Sequence, residues 1–597
     1  REAVRDRFLA VLGPTPAAGV LAALAVGDQH AISGEEWQLF NRTGVTHLMS
    51  ISGLHVTLVS GLLAALVGFL WRRAPALFPG APMLFPGMPA LCLRLPARKA
   101  AAAAAIAGAL GYSLLAGFAV PAQRTFYMVT VVALALWTGR IASPARVLAL
   151  ALAAVVLADP WAPLSPGLWL SFGAVALIFY VAGGWTGREP WLAQWARVQW
   201  AVTVGLAPAA LLLFGQISLA GPLANAVAIP VVSAVVTPLA LAAALVPWDA
   251  LLHAAAWLVE WLLQFLEWCA ALPAALWQQH TPPLWAVGAA LAGAVWLLAP
   301  RGVPGRAMAV ALFVPAFAIA PPAPAEGEAE VTTLDVGQGL AVIARTARHV
   351  MVYDTGPAYG PEADSAGRVL LPALRGAGVA ALDLVVLTHE DADHIGGALT
   401  LLESMPAGEL LSSLPAGHPL QALAPVSRPC AAGQAWEWDG VRFEVLSPAA
   451  GAQPAKRNDL SCVLRISTAG GSMLLTGDIE RTAELALVGS GRSLGSDVLV
   501  VPHHGSRTSS TGEFLAAVSP RWAVVPVGYR NRFRHPNGEV LGRFGESGAA
   551  IRRTDLEGAV TVLLGDGPPR VAAEREARPR YWRRASAIEC PRGISPC

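Results

Sequence analysis

The chain has 597 residues, of which 55% are hydrophobic and only 14% are charged, and its mean hydropathy is +0.52. This length is too great for one hydrophobic core, so we expect at least two domains, and the composition excludes an ordinary soluble globular protein. The formal net charge of +2 says nothing about partners, because apolar residues dominate up to about Ala320 and charged residues concentrate after it.

The first half contains apolar runs that are long enough to cross, or nearly cross, a hydrocarbon layer of about 30 Å. We predict ten helical segments, at Gly53–Leu70, Lys99–Ala116, Thr125–Trp137, Arg146–Leu157, Leu168–Val181, Val198–Phe214, Pro222–Val246, Leu251–Leu272, Leu284–Leu298 and Met308–Ala320. Pro230 and Pro238 break one of them, and such breaks are tolerated in a membrane only where protein or water satisfies the freed backbone groups. This break favours a conduit over a simple anchor.

Basic residues set the expected orientation of these segments. They concentrate in alternate loops, around residues 72–99, 140–146, 188–197 and 301–306, and are absent from loops 158–167 and 215–221. If ten segments span, residues 1–52 form an extracytoplasmic segment, residues 53–320 form a polytopic channel domain, and everything after Ala320 is extracytoplasmic. The predicted location is therefore the cytoplasmic (inner) membrane. The chain begins with Arg1 rather than Met, and we expect it to lack its natural N-terminus.

The segment Leu251–Leu272 could change this topology, because polar and aromatic side chains share one of its helix faces. They are His253, Trp257, Glu260, Gln264 and Glu267. That face either lines a cavity, or the helix lies flat in the membrane interface. The flat alternative would move Arg301 and Arg306 to the outside, against the charge pattern, so we retain the spanning interpretation.

Residues 321–330 have the composition of a linker, and short strand patterns alternate with helical patches over residues 331–571. We therefore expect an α/β domain over 331–571, followed by a basic tail over 572–597. The tail either touches nucleic acid or anionic lipid or is simply solvated. The cysteines lack metal-ligand spacing, although Cys590 and Cys597 could pair in an oxidising compartment.

The most informative motif is His389-Glu390-Asp391-Ala392-Asp393-His394, which follows the apolar run LDLVVLT and precedes a Gly-Gly pair. Imidazoles and carboxylates suit divalent metals, and the alternating spacing lets neighbouring side chains reach two different ions. Further candidate ligands stand at the ends of other predicted strands: Asp354, Asp478, His503 and His504. One such residue alone is a common turn residue, but this order of strand ends indicates a metal centre.

This order resembles the metallo-β-lactamase superfold, an αββα sandwich, over about Val331–Val571. The resemblance implies a dinuclear centre surrounded by Asp354, His389, Asp391, Asp393, His394, Asp478 and His503 or His504. Two divalent ions would activate water for hydrolysis, and Asp393 is the best candidate to orient or deprotonate that water. Supporting or substrate-binding roles are expected for Asp354, Asn458, Asp459, Ser461, Ser506 and His535.

Two departures from the usual pattern of the superfold concern the ligands. Asp391 stands where the superfold usually has His, and the region Lys456–Cys462 has no His where another is usually supplied. Oxygen ligands harden a site, so we expect Mn²⁺ in preference to Zn²⁺, with Mg²⁺ as a further alternative. The missing His also leaves open a domain of this fold that has no catalytic activity.

Motifs in both halves are similar to those of the ComEC family, the competence DNA-internalisation channel. They are SISGLHVTLVSG, PAQRTFYM and DPWAPLSPGLWLSFGAVAL in the membrane half, and DVGQG, HEDADH, KRNDLSCVL, VPHHGS and NRFRHPN after it. The resemblance implies that the family's N-terminal transmembrane pair and OB-fold domain lie outside this sequence. It also implies uptake of single-stranded DNA during natural transformation, with a metal-dependent nuclease domain for the strand that is not transported.

The implied partners are double-stranded DNA at the outer face, single-stranded DNA in the channel, membrane lipid, a DNA receptor and a cytoplasmic ATPase motor. Homo-oligomerisation stays open. Candidates for lining the channel are polar or small residues of the membrane segments: Ser52, Gly53, His55, Arg124, Ser171 and Asn225. The alternatives are a membrane-anchored metallohydrolase of another substrate, and a channel whose metallo-β-lactamase-like domain binds DNA but is catalytically dead.

Overall fold

The computed structural model describes residues 1–77, 95–139, 143–183, 190–300, 302–360, 363–452, 455–580 and 582. The chain forms two compact units, Arg1–Ile319 and Ala320–Cys597, called here the helical unit and the two-sheet unit. Cys590, Cys597 and most of the basic tail lie outside the described residues, so the predicted pairing of these cysteines stays a prediction.

The helical unit consists of α-helices and one short strand pair, in which β1 (Gln216–Ser218) runs antiparallel to β2 (Leu276–Gln278). The α-helices are Glu2–Leu12, Pro16–Val26, Gly34–Arg42, Gly53–Leu77, Ala97–Leu115, Val120–Thr138, Pro144–Ala158, Pro166–Gly183, Trp191–Phe214, Gly221–Val231, Thr237–Leu245, Asp249–Ala270, Leu284–Leu297 and Val314–Ala318. Segments of 3-10 helix lie at Ala162–Leu164 and Arg306–Phe313. Each predicted apolar segment therefore lies on helical structure, which satisfies the backbone of an apolar run internally.

Four helices among the described residues are long and apolar enough to cross a membrane: Gly53–Arg73, Pro166–Gly183, Trp191–Phe214 and Gly221–Leu245. Shorter apolar helices are Pro16–Val26, Pro144–Ala158, Leu284–Leu297 and Arg306–Ala318. The chain is therefore a membrane protein, as predicted. The number of spans and the side on which each loop lies stay predictions.

The helix Pro16–Val26 is a core element that the sequence pattern did not reveal. Thr15 caps its first turn, Gly27 ends it in a left-handed conformation, and all of its residues after Pro16 are buried. It packs against Thr237–Leu245 and Asp249–Ala270 in one apolar cluster. Part of the predicted extracytoplasmic segment 1–52 therefore belongs to the core of the helical unit.

The helix Asp249–Ala270 has two faces, as its sequence predicts. Its apolar face, which includes Leu252, Val259 and Leu266, is buried in the cluster that contains Pro16–Val26. The predicted polar set is exposed: His253, Trp257, Glu260, Gln264 and Glu267. Exposing carboxylates to lipid is costly, so the polar face requires either a cavity or the membrane interface, and the choice between the two stays a prediction.

The prolines do not interrupt the membrane helix between Gly221 and Leu245. Pro230 and Pro238 flank a π-helical stretch, Val232–Val236, and the chain is α-helical on both sides of it. A wider turn accommodates carbonyls that would otherwise clash with a proline ring. The prediction of a broken helix is corrected accordingly to a local π-helical stretch, a feature that is common at functional sites.

The two-sheet unit is rich in short strands. They are β3 (Ala329–Thr333), β4 (Ala341–Arg345), β5 (Val350–Thr355), β6 (Ala358–Gly360), β7 (Ala363–Asp364), β8 (Leu382–Leu387), β9 (Ala407–Ser412), β10 (Val426–Pro429), β11 (Ala435–Trp438), β12 (Val441–Ser447), β13 (Val463–Ser467), β14 (Ser472–Leu475), β15 (Val498–Val500), β16 (Trp522–Val525), β17 (Ala550–Arg553), β18 (Val560–Leu564) and β19 (Arg570–Ala573). One sheet has the order β10-β9-β8-β5-β4-β3-β18-β19 and the other β11-β12-β13-β14-β15-β16-β17, while β6 and β7 form a separate pair.

Apolar side chains of both sheets, among them Val331, Tyr353, Phe443 and Leu464, form a shared core between the sheets. Helices cover the outer faces: Leu371–Gly376 and Ala398–Ser404 on the first sheet, and Arg481–Gly489, Gly512–Val518 and Gly538–Glu546 on the second. Shorter helical segments lie at Ala366–Leu370, Ala392–Ile395, Pro419–Leu423, Arg457–Leu460, Pro502–Gly505, Thr554–Glu557 and Glu574–Ala577. This arrangement confirms the predicted αββα sandwich.

The first strand, β3, begins at Ala329, inside the predicted linker 321–330, because Ala329 faces the core. The last strand, β19, ends at Ala573. The predicted domain bounds 331–571 differ from these ends by two residues on each side.

Candidate metal centre

Strands of both sheets lead into the predicted ligands. In the first sheet β5 and β8 run parallel and carry Asp354 and His389 at or just after their ends. In the second sheet β14 and β15 run parallel and precede Asp478 and His504. Parallel strands bring their carboxyl ends to the same edge. His503 and His504 have φ of 50° and 54°, strained values for residues other than glycine that are found often at functional sites.

Four of the predicted ligands form one compact cluster. Asp393, His394, Asp478 and His504 each offer one atom, and these atoms all lie within 4.8 Å of one another. His394 Nε2 lies 3.1 Å from Asp478 Oδ1, and His504 Nε2 lies 3.3 Å from Asp393 Oδ2. Asp393 is half-buried and the other three are buried. Two imidazoles and two carboxylates at this spacing make a full ligand set for one divalent ion.

The cluster also leaves buried polar atoms without a hydrogen bond in the described part of the chain. They are His394 Nε2, His504 Nε2 and Asp478 Oδ1, together with His389 Nε2 nearby. One such atom costs about 1–3 kcal/mol. Several such atoms that converge on one place form the arrangement that a bound divalent cation would satisfy. The ligand types and their unmet hydrogen bonds therefore fit a divalent metal.

Charges within the cluster stabilise one another. Burial alone would raise the pKa of the Asp393 carboxyl, but the His504 imidazole 3.3 Å away and the charge of His394 hold that pKa at about 2. Burial alone would lower the pKa of His394, but the charges of Asp478 and Asp354 raise it well above its usual value. Protons on the imidazoles balance the carboxylates when no cation is bound, so a metal ion must displace them.

A second, incomplete ligand set lies next to the cluster. The rings of His389 and His394 are 4.2 Å apart between centroids, and His389 Nε2 lies 3.6 Å from Oδ2 of the half-buried Asp391. Ser461 Oγ lies 3.4 Å from His389 Nδ1 and accepts the backbone N–H of Asp478 at 3.1 Å. Ser461 therefore supports two ligands, and the second set is short of one imidazole.

Asp354 orients the candidate ligands His394 and His389 through hydrogen bonds, directly for His394 and through Thr388 for His389. Its Oδ2 accepts hydrogen bonds from His394 Nδ1 at 2.7 Å and from Thr388 Oγ1 at 2.8 Å. Thr388 Oγ1 also lies 2.9 Å from His389 Nδ1. A carboxylate behind a histidine fixes its ring and leaves the other nitrogen free for a metal. Thr388, which the sequence pattern did not reveal, couples both histidines to Asp354.

Polar residues of the region without the expected His contact Glu480, a buried residue that the sequence pattern also did not reveal. Asn458 Nδ2 donates to Glu480 Oε1 at 3.4 Å, and Asp459 Oδ1 accepts the backbone N–H of Glu480 at 2.9 Å. Lys456 forms an ion pair with the same carboxylate. Asn458 and Asp459 therefore support the segment that follows Asp478.

His503 lies beside the cluster. It is half-buried, and its Nε2 atom lies 3.8 Å from Asp478 Oδ2. The centroid of its ring is 6.1 Å from that of His535, whereas Ser506 pairs with Thr508 through their hydroxyl oxygens at 3.1 Å. Of the two histidines that the sequence left open, His504 thus belongs to the four-atom cluster, and His503 lies next to it.

A cavity of about 480 Å³ adjoins the centre and is lined by His389, Leu414, Arg457 and Cys430, among other residues. Cys430 follows β10 and forms a disulfide with Cys462, which precedes β13, so the bond links the two sheets. The 32-residue separation of these cysteines has no recognisable signature, which is why the sequence did not predict the bond.

Two of the channel candidates contact each other in the helical unit. His55 is buried, and its Nδ1 atom accepts the backbone N–H of Ser52 at 3.3 Å. Its Nε2 atom lies 3.4 Å from the hydroxyl of Ser233, in the π-helical stretch. The Ser52 hydroxyl is buried without a hydrogen bond to a described residue. These polar groups lie where the membrane helix departs from α-helical geometry.

The other channel candidates differ in their surroundings. A Cβ atom on Gly53 would lie 2.7 Å from Thr125 Oγ1, so close packing accounts for this glycine. Arg124 is buried, and its Nε and Nη1 atoms lack hydrogen bonds to described residues, as does Oδ1 of Asn225. Ser171 is half-buried. Arg124 and Asn225 are therefore the candidates with unmet hydrogen-bonding groups.

Comparison with known proteins identifies both units. A family model described as "Competence protein" matches residues 24–304, and a model of the "Metallo-beta-lactamase superfamily" matches residues 334–529. The chain is 40% identical to Competence protein ComA of Neisseria gonorrhoeae, over 95% of this chain and 77% of that protein. It is 32% identical to the uncharacterized protein YcaI of Escherichia coli, over 97% and 75% of the two chains. It is 29% identical to Recombination protein 2 of Haemophilus influenzae, over 91% of this chain and 71% of that protein.

With a helical membrane unit followed by a metallo-β-lactamase fold, the chain belongs to the ComEC family of competence proteins.

Proposed function

We propose that this protein is an inner-membrane channel that takes up single-stranded DNA during natural transformation. Its two-sheet unit is a metal-dependent hydrolase that cleaves DNA phosphodiesters and degrades the strand that is not transported. The observation that carries the proposal is the four-ligand cluster of Asp393, His394, Asp478 and His504 in a chain that also contains membrane helices. The name of the relative ComA supports a role in competence.

The chain's own residues would bind and orient the reactants. His394, His504, Asp478 and Asp393 would hold one divalent ion, and His389 and Asp391 would contribute to a second site. Bound divalent ions supply Lewis acidity and stabilise negative charge on phosphate oxygens. The Asp393 carboxylate, which is half-buried and ionised at neutral pH, would orient the attacking water by accepting a hydrogen bond from it.

Phosphate contacts are proposed for exposed arginines of the two-sheet unit rather than for those already held in ion pairs. Arg552 pairs with Glu557 and Arg553 pairs with Asp555, so both are already engaged. Arg507 and the arginines of residues 529–535 are exposed. Their contacts with a backbone would be independent of base sequence and sensitive to salt. A cytoplasmic ATPase would supply the driving force, since the sequence has no Walker phosphate loop.

Metal dependence is the first test. We expect the purified full-length chain in detergent to retain one divalent ion after gel filtration, because only one ligand set is full. We expect it to cleave DNA faster with added Mn²⁺ than with Zn²⁺, because the carboxylate of Asp391 hardens the second set. Elemental analysis gives the stoichiometry, and a gel assay gives the rate.

The variant Asp478→Asn is the control for that test, since it should release the retained ion without removing the side chain. A folded chain that binds none of Mn²⁺, Zn²⁺ and Mg²⁺ would contradict the metal centre. Ion binding without cleavage, for all three ions, would favour the alternative of a catalytically dead DNA-binding unit. Cleavage of RNA or a small phosphodiester in preference to DNA would favour the membrane-anchored hydrolase.

We further propose that the two-sheet unit lies outside the cytoplasm. The alternation of basic loops supports this side, and so does the disulfide Cys430–Cys462, because disulfides persist in oxidising compartments and are rare in the cytosol. The exposed polar face of Asp249–Ala270 is the opposing observation, since one span fewer would reverse the side of everything that follows.

A reporter enzyme that is active only outside the cytoplasm decides between these sides. Fused after Ala325, it should be active in cells that express the chain, and the same fusion after Arg98, in a basic loop, should be inactive. Thiol labelling of Cys430 and Cys462 should require prior reduction. An inactive reporter after Ala325 would mean that Leu251–Leu272 does not span.

A further inference from the structure

The segment Tyr529–His535, called here the aromatic–arginine loop, presents two large aromatic rings to solvent. It follows β16, and the side chains of Tyr529 and Phe533 are 66% and 51% exposed. Both rings belong to the two-sheet unit, in which Tyr353 and Phe443 are packed in the core and Tyr359 is 43% exposed. Exposed aromatic rings that are close together in sequence indicate a binding surface rather than a packing role.

Arginines lie over both rings. The Arg530 guanidinium carbon is 5.2 Å from the Tyr529 ring centroid, and the Arg532 guanidinium carbon is 4.7 Å from the Phe533 centroid. Arg534 adds a third positive charge, and no ion pair joins any of these arginines to a described residue. The loop therefore carries two exposed aromatic rings, each with a guanidinium over it, and positive charge that no described carboxylate pairs with.

Hydrogen bonds hold the loop in shape. The Asn531 side chain donates to the carbonyl oxygens of Gly528, at 3.0 Å, and His535, at 2.7 Å, and accepts the backbone N–H of His535 at 2.9 Å. The Gly528 N–H in turn donates to Gln338 Oε1 at 3.3 Å. A surface that is fixed before binding loses less conformational entropy when a ligand binds.

A row of rings connects the loop to the candidate metal centre. The Phe533 ring stacks on His535 with centroids 5.8 Å apart and planes 14° apart, and His535 lies 6.1 Å from His503. His503 Nε2 in turn lies 3.8 Å from Asp478 Oδ2. A ligand bound on the aromatic–arginine loop would therefore lie a short distance from the candidate metal ligands.

From these contacts we propose that the aromatic–arginine loop is a binding platform for single-stranded DNA. An unpaired base that stacks on Tyr529 or Phe533 takes the place of the guanidinium over that ring, and Arg530, Arg532 and Arg534 then neutralise the adjoining phosphates. Unpaired bases expose their faces, whereas the bases of a duplex are stacked on one another, so the rings select an unpaired strand. This inference rests on the proposed function, because it names the form of DNA that the same centre receives.

The test measures DNA binding by fluorescence anisotropy, with the full-length chain in detergent and EDTA present so that cleavage plays no part. The probes are an oligodeoxynucleotide, its duplex, and the same single strand with abasic sites. We expect Tyr529→Ala and Phe533→Ala each to weaken single-strand binding by about 5- to 150-fold, the range for the loss of one stacked base. Duplex binding should change little.

Tyr529→Trp and Phe533→Trp should retain binding, because they keep a ring, and Leu485→Ala removes a comparably placed apolar side chain on the helix Arg481–Gly489 as the matched control. Arg532→Gln should weaken the binding of single strand and duplex alike. It should also reduce the slope of log affinity against log salt concentration by an amount that corresponds to about one phosphate contact.

The proposal is overturned if both alanine variants bind the single strand as the parent does, or if the abasic strand binds as tightly as the intact one. Equal losses for single strand and duplex would also overturn it, because they would indicate a backbone contact or a misfolded loop. Since EDTA is present, a parent chain that never cleaves DNA would contradict the proposed nuclease and leave this measurement intact.

Discussion

Asp393→Ala should reduce the DNA cleavage rate of the full-length chain by about 10²- to 10⁴-fold or more, the range for a group that orients or accepts a proton. Asp393 contributes one of the four clustered ligand atoms, and its Oδ2 lies 3.3 Å from His504 Nε2. It is also the most exposed of the four, so it is the one best able to meet a water molecule. The rate is measured under saturating Mn²⁺, so that a modest loss of metal affinity does not limit it.

Two controls separate chemistry from folding. Asp566→Ala removes an exposed carboxylate of the same unit and should leave the rate unchanged. Far-ultraviolet circular dichroism should be the same for parent and Asp393→Ala, because the half-buried carboxylate is not part of the core between the sheets. If Asp393→Ala cleaves DNA at the parent rate, the centre as described is not the site of hydrolysis.

The ligand candidates could be found in the sequence because each stands at or after the end of an apolar strand. The residues at these positions are Asp354, His389, Asp478 and the His503-His504 pair. Which histidine of the pair joins the cluster could not be predicted, because both have left-handed backbone conformations that no sequence pattern specifies. The pair is resolved only by the packing that buries His504 and leaves its neighbour half-buried.

Residues that act through long-range contacts were not predictable. Glu480 meets Asn458 across 22 residues, and Cys430 meets Cys462 across 32 residues, and neither separation carries a local signal. The helix Pro16–Val26 was missed for another reason. At 11 residues it is too short to suggest a membrane span, although it is almost entirely buried in the helical unit. Tertiary packing, rather than the local sequence pattern, determines both these contacts and the burial of this helix.

The last prediction concerns the conduit. Asn225→Phe should abolish DNA uptake into the cell and leave DNA cleavage unchanged. Asn225 Nδ2 donates to the carbonyl of Gly221 at 2.9 Å and to that of Gly44 at 3.3 Å, while its Oδ1 atom is buried without a hydrogen bond to a described residue. An unmet acceptor in a membrane helix points to a polar path, because such groups are expensive to keep in an apolar surrounding. Gly53, which the sequence also proposed, is less suitable, since a larger residue there would collide with Thr125.

Two further variants make the experiment specific to the path. Asn225→Ala removes the hydrogen bonds without adding bulk and should still permit uptake, which separates blockage from loss of packing. Leu223→Phe adds comparable bulk at an exposed position two residues away and should be tolerated, because a lipid-facing helix surface needs only to be apolar. Uptake is measured as transformants per cell at equal amounts of membrane protein. If Asn225→Phe transforms as well as the parent while Asp393→Ala does not, the helices anchor a hydrolase, and the strand crosses the membrane by another route.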